Sequence, residues 1–162
     1  MKKIASLLML LVAFVSCQSD VKFNNPSFQG QKDNYLWRAD HTQTVTADGN
    51  LTINAFRGLE QVTLVITAPT AAIVRTSPKT YTLGVDDNIT ATYQHADKDL
   101  VFVYKTGKDL GNGQIVISEY DPVSRKISGS YRFNALYQGT DSNVLDANVN
   151  FQDGFIYKIQ VQ

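Results

Sequence analysis

Lys126-Ile127-Ser128-Gly129-Ser130-Tyr131-Arg132-Phe133-Asn134-Ala135 is the stretch that decides the fold. Ile127, Gly129, Tyr131, Phe133 and Ala135 alternate with Lys126, Ser128, Ser130, Arg132 and Asn134. A period of two turns one set toward a core and the other toward water, which is the pattern of a half-buried β-strand. Toward the C-terminus, Leu145, Ala147, Val149 and Phe151 alternate in the same way with Asp146, Asn148, Asn150 and Gln152. Asp153-Gly154 comes next, a dipeptide favoured where a type I′ turn needs positive φ at both central residues. Phe155, Tyr157, Ile159 and Val161 then alternate with Ile156, Lys158, Gln160 and Gln162, so an antiparallel hairpin is predicted around Asp153-Gly154.

Upstream the grammar repeats. After the turn Asp48-Gly49, Leu51, Ile53 and Ala55 alternate with Thr52 and Asn54, and Val62, Leu64 and Ile66 alternate with Thr63, Val65 and Thr67. Tyr81 and Leu83 lie in a short run between Pro78 and Gly84, and residues 89–93, 100–104 and 114–120 are three more runs rich in β-branched and aromatic side chains. Residues 69–76 have room for one helical turn, confined by Pro69 and Pro78. Eight to twelve short strands at this spacing predict an all-β domain. An antiparallel β-sandwich is the favoured form, and an open or closed antiparallel β-barrel is the alternative.

The N-terminus carries a different signal. Lys2 and Lys3 precede an apolar segment from Ile4 to Val15, and Phe14-Val15-Ser16-Cys17 has the shape of a lipoprotein processing site. The apolar run is 12 residues long, too short for a membrane span of about 20 residues. Bulky Phe14 at the third position before the cut disfavours an ordinary signal peptidase, whereas Ser16 and Cys17 suit lipoprotein processing. The expected organisation is a helical lipoprotein signal peptide over 1–16, a lipidated Cys17 with a polar tether over 17–26, and one all-β domain over 27–162. Nine flexible tether residues reach roughly 15 to 18 Å, which would hold the domain beside the outer membrane of the cell envelope. Asp20, just past the cysteine, is a single acidic hint that leaves the periplasmic and surface leaflets both open.

Composition bounds the partners. Fifteen basic residues balance fifteen acidic ones, and without grouped Lys and Arg a nucleic-acid partner is not expected. Cys17 is the sole cysteine, so no disulfide can form within the chain. His41 and His95, the two histidines, lie far apart and match no metal-binding spacing. No serine sits in a Gly-x-Ser-x-Gly frame. Glu60 and Glu119 are the only glutamates; a paired-carboxylate hydrolase would need one of them, and Glu119 is the better candidate because it shares a face with Ile115 and Ile117. Asp86-Asp87-Asn88 and Asp97-Lys98-Asp99 read as turn chemistry. No catalytic residue, metal or cofactor is therefore expected. Trp37 and Tyr35, on one face of a short stretch, are the candidate ligand-binding aromatics, and Tyr93, Tyr104 and Tyr120 close their strands near turns.

Asn25-Pro26-Ser27-Phe28-Gln29-Gly30, Leu36-Trp37-Arg38-Ala39, Leu51-Thr52-Ile53, Thr80-Tyr81-Thr82-Leu83-Gly84, the 126–133 strand and the final Asp-Gly-Phe occur in an order that resembles a family of small uncharacterised lipoproteins from Bacteroidota. That resemblance implies envelope address and β-architecture, and it supplies no site. The reading that results is a membrane-anchored, non-catalytic binding or structural module whose partner is an envelope protein or a glycan. A carbohydrate- or small-ligand-binding lipoprotein using exposed aromatics is the alternative, and a hydrolase with an unrecognised carboxylate pair is the third.

Overall fold

Two-residue turns set the register at the start of the sheet. Asp33 and Asn34, with φ of 49° and 69°, join β1 (Ser27–Lys32) to β2 (Tyr35–Arg38), and Asp48 and Gly49, with φ of 52° and 75°, join β3 (His41–Ala47) to β4 (Asn50–Arg57). Left-handed φ at both central positions matches the turn's twist to that of the strands it connects. The chain continues through β5 (Glu60–Thr67), β6 (Lys79–Leu83), β7 (Thr90–Asp97), β8 (Leu100–Lys105), β9 (Asn112–Asp121), β10 (Lys126–Tyr137) and β11 (Asn148–Gln160). This computed structural model describes residues 27–98, 100–140 and 147–162. The signal peptide, Cys17 and tether expected over residues 1–26 lie outside them, as do Leu145 and Asp146 of the predicted strand.

Every strand belongs to one antiparallel sheet, with the path β2-β1-β11-β10-β8-β7-β5-β4-β3. The sheet forks at β10: one edge pairs with β11, while the other takes β9 along Lys126–Asn134 and β8 at Leu136 and Tyr137. β6 pairs with β9 and ends that branch. The longer branch curls until its last strand, β3, returns to the C-terminal end of β11. There Thr44 Oγ1 donates to the Gln160 carbonyl (2.9 Å) and accepts from Gln162 N–H (2.9 Å), and Thr46 Oγ1 donates to the Gln162 carbonyl (3.1 Å). The result is a strongly curled half-barrel. The all-β antiparallel expectation holds, and the sheet takes the alternative open-barrel form in place of two packed sheets of a sandwich, because hydrogen bonds run unbroken through a single sheet. No helix occurs among the described residues; in the 69–76 stretch Ile73 makes a β-bridge with Tyr120.

The inner face is filled as the alternation requires. Leu51, Ile53 and Ala55 on β4 and Val62, Leu64 and Ile66 on β5 are fully buried. At the centre Phe133 stacks on Phe151 (4.7 Å between centroids) and Phe28 on Tyr131 (4.6 Å), and Trp37 sets its edge against Phe28 and Phe151. Each large side chain withdrawn from water contributes about 1.5 to 3 kcal/mol.

The predicted hairpin at Asp153-Gly154 is absent; β11 runs straight through it as one strand of 13 residues. Tyr131 and Phe133 pair with Gly154 and Phe151, so two residues of β11 oppose one of β10, and Asp153 carries the bulge at φ 48°. A second bulge sits at Lys158 (φ 49°), where Ile127 and Gly129 pair with Ile159 and Ile156. An extra residue inverts the faces beyond it. Simple alternation puts Phe155 on the face of Ile159 and Val161. Instead the first bulge turns Gly154 and Ile156 inward and leaves Phe155 54% exposed, and the second returns Ile159 and Val161 to the core. Asp-Gly tolerates left-handed φ in a bulge as readily as in a turn, which is why the dipeptide misled.

Gly154 is held to glycine by a neighbour. A Cβ there would lie 2.5 Å from the Tyr131 carbonyl oxygen and 2.6 Å from its ring carbons. Gly154→Ala should therefore cost about 1 to 3 kcal/mol in urea unfolding, whereas Asp153→Gly, at the left-handed residue beside it, should change stability by less than about 1 kcal/mol. Equal costs would show that the Tyr131 contact does not hold the bulge.

Candidate functional site

Two polar centres stand out from the packed sheet, one at an open end of the curl and one on its outer face. The first is built on Glu60, the first residue of β5. Trp37 Nε1 donates to Glu60 Oε2 (2.9 Å) and the Tyr93 hydroxyl donates to Oε1. Arg57 Nη1 lies 3.8 Å from Oε2 and Lys32 Nζ 3.9 Å from Oε1. Lys32 also approaches Asp33 at 3.7 Å and sits 5.0 Å over the Tyr93 ring. Burial, followed by the hydrogen bond to Glu60, pushes the Tyr93 hydroxyl far above its ordinary range, so it stays a donor. A cavity of about 190 Å³ opens here, lined by Lys32, Asp33, Glu60, Tyr93, His95 and Asn148 among others.

A carboxylate offers about four lone-pair positions; in Glu60 the Trp37 and Tyr93 donors take two of them, and Lys32 and Arg57 stand farther off as ion-pair partners. Those two hydrogen bonds tie β2 and β7 to β5. Glu119, the carboxylate favoured from sequence, is 41% exposed in its side chain and pairs with Arg75 at 3.4 Å. The two glutamates share no partner among these contacts. His41 stacks on Phe56 and His95 on Phe102 as cross-strand pairs. Asp86 accepts from Asn88 N–H and Asp87 from Lys108 N–H, as turn residues do. Among the described residues no three His, Cys, Asp or Glu side chains gather as metal ligands.

The candidate aromatics part company. Trp37 is wholly buried, with both its ring and its N–H engaged by protein, so it is a core residue and offers no face to a ligand; Tyr35 is 79% exposed at the edge strand. Both lie on β2, but only Trp37 turns under the sheet. Tyr93 and Tyr104 pair across β7 and β8 and are buried as well.

The second centre was not visible in the sequence. β9, β10 and β11 bring Asn112, Asn134 and Asn150 into register as direct cross-strand neighbours. With Arg132, Gln152 and Asp153 they line a groove of about 490 Å³ on the outer face. Asn150 is fixed from below, its N–H donating to Asp33 Oδ1 (2.9 Å) and its carbonyl accepting from Asp33 N–H (2.9 Å). The side-chain amides of Asn112, Asn134, Asn150 and Gln152 make no hydrogen bond among the described residues. A second hollow of about 290 Å³ shares Arg132 and Asp153 and adds Gln114, Ser130 and exposed Phe155. The bulge at Asp153 puts Phe155 there. Chain alternation marked the asparagines only as wet-face residues, and their alignment depends on pairings remote in sequence.

A family model described as Domain of unknown function (DUF6252) matches residues 24–160. No curated protein and no solved structure matches the chain.

Removing the carboxylate in Glu60→Ala leaves a buried Trp N–H and a Tyr hydroxyl unpaired and should cost roughly 2 to 4 kcal/mol in urea unfolding. The Tyr131 hydroxyl is buried without a partner, so Tyr131→Phe should raise stability by up to about 1 kcal/mol at neutral pH. Tyr93 and Tyr131 are both raised in the folded state, each chiefly by burial. Their contribution is complete below the unfolded tyrosine value of about 10 and is lost as pH climbs beyond it toward the folded values. Unfolding measured from pH 8 to 11.5 should show stability falling above about pH 10, with a shallower fall in Tyr93→Phe.

Proposed function

Because the chain belongs to the family described as Domain of unknown function (DUF6252), we propose its role from its own chemistry: a membrane-tethered, non-catalytic binding module of the cell envelope, related to small lipoproteins of Bacteroidota. The observation that carries the binding half is a contrast in commitment. Each glutamate is engaged by protein cations, while the outer face of β9, β10 and β11 presents a row of side-chain amides that make no hydrogen bond among the described residues. The pairing of both glutamates favours the binding reading over a hydrolase.

The tether half rests on Lys2, Lys3, the apolar segment and Cys17. Two or three acyl chains on that cysteine, at about 0.8 kcal/mol for each buried methylene, would anchor the domain for its lifetime. A partner held in the same envelope then meets the binding face at high local concentration. Weak intrinsic affinity suffices under those conditions.

Mass spectrometry of the native N-terminus should find an acylated residue 17, and Cys17→Ser should move the protein from the membrane to the soluble fraction. An unacylated mature chain in the culture supernatant would overturn the tether.

A further inference from the structure

We propose that the ligand is a neutral glycan chain, seated along the groove over Asn112, Asn134 and Asn150 with Phe155 as a stacking platform; this rests on the binding reading above. Each asparagine amide supplies two donors and an acceptor in one plane, which suits adjacent hydroxyls that both give and receive hydrogen bonds. Direct cross-strand neighbours stand about 5 Å apart, so the three amides repeat at about the span of a pyranose ring. The row runs across the strands, and the adjoining hollow extends the surface past Arg132 to Phe155. Phe155 is 54% exposed, and an aromatic face of that kind stacks on the C–H face of a sugar.

Other ligand classes fit less well. Among the described residues Arg132 and Asp153 are the only charges lining the groove and they offset one another, which gives no field for a polyanion. An extended peptide would bind a sheet by adding a strand at an edge, but β10 and the stretch of β11 facing it have their main chains paired on both sides. A side-chain-only surface with no free backbone selects ligands rich in hydroxyls. The site is also preformed, because it stands on strands and on the two hydrogen bonds between Asp33 and the Asn150 main chain, so little ordering opposes binding.

The test uses the full-length acylated protein in detergent on an array of neutral gluco-, manno- and xylo-oligosaccharides, with uronic-acid and sulfated oligosaccharides alongside. At least one neutral series should bind, with little change between 50 mM and 500 mM salt. Asn134→Ala, Asn150→Ala and Phe155→Ala should each weaken it roughly three- to tenfold, as should Gln152→Ala, a change at an exposed side chain. Tyr35→Ala should leave binding unchanged. Binding confined to acidic chains and abolished by salt, or neutral binding untouched by the groove variants, overturns the glycan assignment. A photo-crosslinker placed at residue 152 separates the two levels: no glycan bound but an envelope protein captured refutes the glycan and keeps the binding module, whereas no glycan and no capture refutes both.

Discussion

The pairing of β10 with β11 is the constraint on which the rest depends. These are the longest strands, and β10 must serve two neighbours on one edge, β9 and β8. A regular ladder of that length would twist evenly and keep one register. Bulges at Asp153 and Lys158 add local twist and let the inner face change residues without breaking the pairing. The exposure of Phe155 is the outcome of the first insertion. Tyr131 fastens it, because the ring covers Gly154 while its hydroxyl goes without a partner. An apolar ring of the same shape would pack as well without that desolvation cost, and among the described residues this hydroxyl is the one buried side-chain polar atom without a partner.

Glu60 plays the complementary part at an open end of the curl. Nothing in the ladder itself holds the short strand β2 over the core, since four residues paired to β1 alone make a weak edge. The bond from Trp37 to Glu60, and from Tyr93 to the same carboxylate, draws three strands to one point. Neighbouring Lys32 and Arg57 supply the charge that makes burial of the carboxylate tolerable.

How much was legible in the chain depends on the range of the interaction that decides each feature. β4 and β5 follow strict alternation, and Leu51, Ile53, Val62 and Leu64 are buried as the pattern requires. Asp48-Gly49 is a turn because its neighbours in sequence are also its neighbours in the sheet. Asp153-Gly154 has the same local chemistry, yet β1 and β10, distant in sequence, pair with both of its flanks and convert a turn signal into a bulge. Trp37 looked like a ligand platform because a lone tryptophan in a short polar stretch carries no local sign of Glu60 lying 23 residues on. The asparagine row was hidden for the same reason: the residues were plain to see, and the register that aligns them was not.

One consequence of the topology concerns assembly. β11, the latest of the described strands, lies between β10 and β1, the earliest. The middle of the sheet thus cannot form until almost all of this stretch has emerged from whatever makes or transports it. Contacts between the two ends of a chain are slow to form, because loop closure must be met before burial rewards it. A ribosome or translocation pore would therefore handle a polypeptide with its β1 edge still vacant. Chaperone capture or premature aggregation at that edge would compete with native closure, and the last strand to arrive would end the competition.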